Sequence, residues 1–136
     1  MNRKPKLDNQ VQSDLTRVTH FDADLVRALA TVGVPVHVPQ GWSIVTEMTP
    51  GDSAYVLLDG VVEIRKAGEV RRTLGPGDVF GEIAVVDHRL RSASVVASTD
   101  ITALRLESSA LNALFEMDPA FADALRSTTT SRLEAF

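Results

Sequence analysis

The chain has 136 residues, 44 % of them hydrophobic, which is the size and composition of one soluble globular domain with a single core. Its net charge is -4 and its arginines are dispersed, which argues against direct contact with nucleic acid. Cysteine is absent, so disulfides and thiolate metal sites are excluded and the composition is compatible with the cytoplasm. No apolar stretch approaches the roughly 20 residues that span a bilayer, so membrane insertion is not predicted.

The N-terminal part of the sequence predicts a leader followed by two short helices. Its first residues are polar and show no periodicity, so we interpret residues 1–12 as a flexible leader and residues 13–136 as a single domain. From Leu15 onward, apolar residues recur at spacings of three and four, which is typical of helices. Asp22 is the expected N-cap of the second helix, and Gly33 is expected to end it.

Beyond Gly33 the apolar period changes to two, which predicts strands. Turns rich in glycine and proline interrupt this alternation about every 8 to 12 residues, so that about eight short strands fit between residues 34 and 106. This pattern predicts a mainly β fold, a β-roll or jelly roll of the kind also called a double-stranded β-helix. Trp42, the only tryptophan, is expected to anchor the core or a sheet face.

The C-terminal part returns to a helical period. Ser108 is expected to cap a helix that carries Leu111 and Leu114, and Asp118 to start a second one. We therefore expect N-terminal helices and a C-terminal helical pair on either side of the β-roll. Within the second C-terminal helix, the serine and threonine run at 127–131 is polar and weakly helix-forming.

The segment from Leu74 to Ala97 has the features of an anion-binding site. Gly81 follows a short predicted strand and opens a helical turn over residues 82–86. The first amide hydrogens of a helix are unpaired and carry partial positive charge, so this start suits a phosphate. Arg91 adds a guanidinium that can bind two phosphate oxygens, whereas the carboxylate of Glu82 only accepts hydrogen bonds and suits a sugar hydroxyl. Together these groups describe a site for a ribose phosphate.

The same segment resembles a known family. The sequences FGEIA at 80–84 and RSASV at 91–95 are similar to the phosphate-binding cassette of cyclic nucleotide-binding domains, as found in catabolite activator protein and protein kinase A regulatory subunits. The nine-residue step from Glu82 to Arg91 matches that family, and so does the Gly-Asp pair at 51–52. The resemblance covers nearly the whole chain.

One feature departs from the family pattern. The family often has proline directly before the phosphate-binding arginine, where this chain has Leu90, preceded by Arg89. Arg89 is therefore a rival to Arg91 for the phosphate, although the spacing favours Arg91.

The resemblance implies a set of ligand contacts. Glu82 would accept the ribose 2′-hydroxyl, Arg91 would hold the exocyclic phosphate oxygens, and backbone amides would complete the cradle. The implied ligand-binding residues are Gly81, Glu82, Ile83, Ala84, Arg91, Ser92 and Ala93. Further contacts with the ribose, the base or a C-terminal lid are expected from Val61, Val62, Thr130, Ser131 and Phe136.

By this resemblance the protein is a receptor that senses a cyclic nucleotide, and not an enzyme. Ser92 follows the phosphate arginine at a place where bacterial cyclic AMP receptors carry serine and where threonine favours cyclic GMP, so cyclic AMP is the expected ligand and cyclic GMP the alternative. Ligand binding is expected to move the C-terminal helices. No metal or cofactor is expected, the effector protein is unidentified, and formation of a homodimer is left open.

Two other functions fit parts of the sequence. The first is the sensor domain of a transcription regulator without its DNA-binding part, because bacterial relatives carry such a part after the last helix. The second is a metal-dependent jelly-roll enzyme of the cupin type. That family needs a close His-X-His pair, and His20, His37 and His88 are far apart in the sequence, so this alternative is disfavoured.

Overall fold

The computed structural model describes residues 3–81, 91 and 93–120. Within these ranges, no helix has the length and apolar character needed to cross a membrane. In chain order, the elements are α1 (Arg3–Val18), α2 (Ala23–Val32), β1 (Val34–Val38), β2 (Ser43–Val45), β3 (Ser53–Asp59), β4 (Val62–Lys66), β5 (Glu69–Leu74), β6 (Val79–Phe80), β7 (Ser94–Ala97), β8 (Ile101–Glu107) and α3 (Ser108–Met117).

The strands form two antiparallel four-stranded sheets with the orders β1-β8-β3-β6 and β2-β7-β4-β5. Short connections join β1 to β2, β3 to β4, β5 to β6 and β7 to β8, and each of these four connections crosses from one sheet to the other. Strands at the same position in the two orders therefore face each other, and β1 and β2 form one edge of the roll. This arrangement confirms the predicted mainly β roll.

Strand β3 is buried on both of its faces, because side chains alternate along a strand. Tyr55 and Leu57 point into an apolar cluster between the two sheets, which we call the inner core. Ala54, Val56 and Leu58 point the other way, into a second cluster that the helices cover. The nearly continuous apolar sequence of β3 is the consequence of this double burial.

The helices pack on the outer face of the β1-β8-β3-β6 sheet. Leu15 of α1, Leu29 of α2 and Leu111 of α3 are completely buried there. The side chain of Asp22 accepts a hydrogen bond of 2.8 Å from the amide of Leu25, which confirms the predicted N-cap of α2. The amide of Gly33 closes the same helix on the carbonyl of Leu29, as predicted.

Three local predictions differ from the structure. Helix α1 begins at Arg3, within residues 1–12 where the sequence predicts a leader without regular structure. The mostly polar sequence of α1 contains a short apolar stripe, because Val11 and Leu15 lie one turn apart and are both buried. Ser108 is the first residue of α3 and not its cap, because Glu107 occupies the N-cap position and makes no side-chain cap hydrogen bond. Trp42 is 66 % exposed and is therefore not a core anchor.

Candidate functional site

Arg91 is held in place by its own backbone. Its amide donates a hydrogen bond of 2.7 Å to the carbonyl of Thr49, and its carbonyl accepts one of 2.9 Å from the amide of Met48. Both partners belong to the loop between β2 and β3. These two bonds continue the pairing of β2 with β7 and fix where the side chain of Arg91 starts.

The guanidinium of Arg91 is buried, with 5 % of the residue exposed, and backbone carbonyls orient it. Nη2 donates to the carbonyl of Ser53 at 2.7 Å, and Nη1 donates to the carbonyl of Gly81 at 2.5 Å. The carboxylate of Asp52 lies 3.9 Å from Nη2, but its side chain is 81 % exposed, and a solvated pair at this distance contributes little. The guanidinium is thus a cation in a defined orientation, and its partners include two neutral carbonyls, one at the start of β3 and one directly after β6.

Gly81 leaves room for this guanidinium. Its φ of +87° is a conformation that side chains rarely adopt, and a Cβ atom built on it would lie 2.7 Å from Nη1 of Arg91 and 3.2 Å from the carbonyl oxygen of Ser53. The sequence predicts Gly81 as the start of a helical turn. In the structure its carbonyl also serves as an acceptor for Arg91.

The inner core lies next to Arg91. Ala93, two residues beyond the arginine, is 8 % exposed and belongs to this cluster together with Ile64 and Phe80. Phe80 also stacks on Tyr55, with ring centroids 5.2 Å apart and planes 15° apart. An apolar group attached to an anion at Arg91 would therefore meet a well-packed apolar surface.

The two valines predicted to line the ligand differ in position. Val62 is completely buried in the inner core, whereas Val61 is 37 % exposed. Arg65 of β4 pairs with Ser94, close to Arg91 in the chain, and Val62 pairs with Ala97. Val61 directly precedes β4, and its contact with the ligand stays a prediction.

Several predicted site residues lie outside the described residues, and their roles stay predictions. They are Glu82, Ile83, Ala84, Ser92, Thr130, Ser131 and Phe136, together with the rival Arg89. Of the predicted phosphate site, the structure brings together Gly81, Arg91 and Ala93.

The structure also shows a site residue that the sequence did not single out. Ser53 is fully buried, and both its carbonyl and its hydroxyl are engaged, the first by Arg91 and the second by Nε of Arg105 at 3.1 Å. A polar residue directly before the apolar run of β3 was the available signal. Every residue has a backbone carbonyl, so the role of this one as an acceptor for Arg91 could not be predicted from the sequence.

Chemically, this arrangement binds anionic oxygens. Guanidinium donates parallel hydrogen bonds to phosphate or carboxylate, and its charge assists them. Among residues 3–81, 91 and 93–120, no group of three or more His, Asp, Glu or Cys side chains is placed to hold a metal ion.

Known proteins share this sequence and fold. A family model described as cyclic nucleotide-binding domain matches residues 35–118. A CRP-like cAMP-activated global transcriptional regulator of Mycobacterium tuberculosis is 31 % identical over 113 residues, which covers 79 % of this chain and 50 % of the regulator. This chain thus spans about half the length of that relative.

Solved structures agree with the family match. A cyclic nucleotide-binding domain from Methylobacillus flagellatus is 26 % identical, with a TM-score of 0.76, and the alignment covers 95 % of this chain and 79 % of that one. A structure described as Sp-2Cl-cAMPS bound to PKAR CBD2 shares the fold with a TM-score of 0.84 at 21 % identity, covering 97 % and 90 % of the two chains. Because the family model spans most of the β-roll and the cassette that contains Arg91, this chain belongs to the cyclic nucleotide-binding domain family, whose members are regulatory domains.

Proposed function

We propose that this chain is a receptor module that binds cyclic AMP and has no enzymatic activity of its own. The observation that carries the proposal is the buried guanidinium of Arg91, which the carbonyls of Ser53 and Gly81 hold in one orientation. A buried guanidinium in a defined orientation can make the charge-assisted hydrogen bonds that an exocyclic phosphate requires. The inner core beside it would take the ribose and the purine.

Two facts support cyclic AMP over cyclic GMP. The residue after Arg91 is Ser92, which lacks the methyl group of the threonine that accompanies cyclic GMP in related receptors. The regulator of Mycobacterium tuberculosis that matches this chain is named as cAMP-activated. Glu82 would accept the ribose 2′-hydroxyl in either complex and therefore does not discriminate between the two nucleotides.

The response to the ligand is proposed to be a movement of the C-terminal helices. Ligand contacts would tighten the cassette, and the helices that follow α3 would take a new position that an effector protein detects. The polar run at 127–131 supports a lid in this region, because serine and threonine are weak helix formers with little apolar area to bury, so a helix there would reorganise at low energetic cost. Thr130, Ser131 and Phe136 are the proposed contacts of this lid with the base.

Isothermal titration of the purified chain tests the proposal. Cyclic AMP, cyclic GMP and the open nucleotide 5′-AMP are titrated separately into the folded protein, whose structure is checked by circular dichroism. Saturable binding of cyclic AMP, tighter than that of cyclic GMP and much tighter than that of 5′-AMP, is expected. Equal affinities for the two cyclic nucleotides would contradict the proposed preference for cyclic AMP. If neither cyclic nucleotide bound, the proposed function would be overturned.

A second candidate is that the chain is the sensor part of a transcription regulator. It is favoured by the match to a transcriptional regulator of which the chain covers 50 %. A coding sequence that continues into a helix-turn-helix domain would support this function. A complete reading frame without such a domain would instead favour a protein that acts through a partner protein.

A further inference from the structure

A cavity of about 400 Å³ opens at the edge of the roll where β1 and β2 meet. Pockets that bind small ligands start at about 300 Å³, so this volume suits a small molecule. Its lining comes from β1, β2, the turn between them, and single residues of β3 and β8, and it includes neither Gly81 nor Arg91. The cavity is therefore distinct from the phosphate site but adjacent to it, because Ser53 contacts both Arg91 and Arg105.

The walls of this cavity are mainly apolar, although His37 and Ser43 also line it. Val36, Val38 and Ile44 line it and pack against the inner core, each of them only partly buried. Trp42 also lines it and leaves 66 % of its surface exposed. An apolar molecule in the cavity would cover these surfaces, and burial of apolar area favours binding.

One cation, Arg105, lines the same cavity. Arg105 of β8 is directly opposite Tyr55 of β3, so the two side chains lie on the same face of the sheet, the one that faces the inside of the roll. Nε of Arg105 donates to the hydroxyl of Ser53, which fixes the plane of the guanidinium. Nη2 lies 3.5 Å from a carboxylate oxygen of Glu107, whose side chain is 61 % exposed.

The contacts of Arg105 leave it able to bind an anion. Among the described residues, nothing accepts a hydrogen bond from Nη1, and the ion pair with exposed Glu107 is of the weak, solvated kind. The side chain is 38 % exposed, so a ligand can reach it without first unpacking the roll. A guanidinium favours planar anions that accept two hydrogen bonds.

We propose that this cavity is a second binding site, specific for a small carboxylic acid with an apolar chain. The carboxylate binds to Arg105 and the chain lies along Val36, Val38 and Ile44 under the indole of Trp42. A carboxylate fits better than a phosphate, because a single half-exposed guanidinium among apolar walls balances one negative charge and not two. This site does not depend on nucleotide binding at Arg91.

Octanoate is a suitable probe, with octanamide as the neutral molecule of the same shape. Trp42 is the only tryptophan of the chain, so its fluorescence reports on the cavity directly. Octanoate is expected to bind with a dissociation constant on the order of 1 mM or lower, the range for a ligand of this size, and to shift the emission of Trp42 to the blue. Octanamide is expected to bind at least about 10-fold more weakly, because it lacks the charge.

The matched variants are Arg105→Gln and Arg65→Gln. Arg65 is a fair control because its side chain is 43 % exposed and is also paired with a neighbouring carboxylate, that of Glu63. Arg105→Gln should weaken octanoate binding by about 10-fold or more, and Arg65→Gln should leave it within twofold. Equal effects of the two variants, or equal binding of octanoate and octanamide, would overturn the proposal.

Two measurements on the unmodified protein decide the matter if Arg105→Gln does not fold. Amide chemical shifts in nitrogen–proton spectra should change on addition of octanoate at residues 36–44 and at Arg105. Saturating cyclic AMP should not displace octanoate. Shifts confined to other regions, displacement by cyclic AMP, or no change with octanoate at all would each show that the cavity is not this site.

Discussion

The guanidinium of Arg91 donates a 2.7 Å hydrogen bond to the backbone carbonyl of Ser53, which lies 38 residues earlier in the chain. This bond joins the cassette to β3, the strand that is buried between the inner core and the helices. Because the acceptor is a backbone atom on a well-packed strand, the position of the cation depends on the packing of β3 within the fold.

Replacing Gly81 by alanine should weaken nucleotide binding. The added Cβ would lie 2.7 Å from Nη1 of Arg91, and the guanidinium, being the end of a flexible side chain, would move away from its position. Gly68→Ala is the matched control, since Gly68 has a similar φ of +80° but nothing within 4 Å of the added atom. Both variants should lose about 1 to 2 kcal/mol of unfolding free energy to backbone strain, measured in urea.

Only Gly81→Ala should then lose affinity for cyclic AMP, by about 10-fold or more if one charge-assisted hydrogen bond is lost. An equal loss of affinity in Gly68→Ala would show that strain, and not the contact with Arg91, is responsible.

Met48→Gly should stabilise the protein. Met48 has a φ of +69°, a left-handed conformation, in the loop that pairs with the backbone of Arg91. Relief of roughly 1 to 2 kcal/mol of strain is partly offset by the greater freedom of glycine in the unfolded chain, so a net gain of about 0.5 to 1 kcal/mol is expected. Met117 is similarly exposed but ends helix α3, and Met117→Gly should lower stability instead. Thermal melts of the two variants that shift in the same direction would contradict the assignment of strain to Met48.

The sequence could predict those features that a side-chain pattern encodes. The period of two beyond Gly33 predicted the strands, Asp22 predicted the start of α2, and the cassette spacing selected Arg91, which the structure places in a buried and oriented position. Features that depend on tertiary contacts could not be predicted from the sequence. The carbonyl of Ser53 has no sequence signature, and the exposure of Trp42, which lies in the turn between β1 and β2, depends on tertiary packing that composition does not encode.

Ser53→Ala and Ser98→Ala should change stability in opposite directions. The hydroxyl of Ser53 accepts a hydrogen bond from Arg105, so its removal should lower the unfolding free energy by about 1 to 3 kcal/mol. The hydroxyl of Ser98 is buried and has no hydrogen-bond partner within the described ranges, so its removal should raise the unfolding free energy by about 1 kcal/mol. Urea denaturation measures both values. A loss of stability in Ser98→Ala would reveal a partner for its hydroxyl.

The proposed lid can be tested by hydrogen exchange. If the C-terminal helices close over the base, amides in residues 120–136 should exchange more slowly once cyclic AMP is added, because closure protects their hydrogen bonds. Truncation after Ser127 should lower the affinity and leave the β-roll folded. Unchanged exchange together with unchanged affinity of the truncated protein would show that the signal leaves by another surface.

The central claim is that Arg91 is the phosphate ligand, and calorimetric titration of cyclic AMP into Arg91→Lys and Arg71→Lys tests it most directly. Lysine keeps the charge but cannot reproduce the planar pair of hydrogen bonds. Arg71 is an exposed arginine of β5 that pairs with Glu69 and lies outside the site, so it serves as the control. Arg91→Lys should weaken binding by about 10- to 150-fold, and Arg71→Lys should leave it unchanged. Wild-type affinity in a folded Arg91→Lys protein would contradict the claim. A large loss of affinity in Arg89→Lys instead would assign phosphate binding to Arg89.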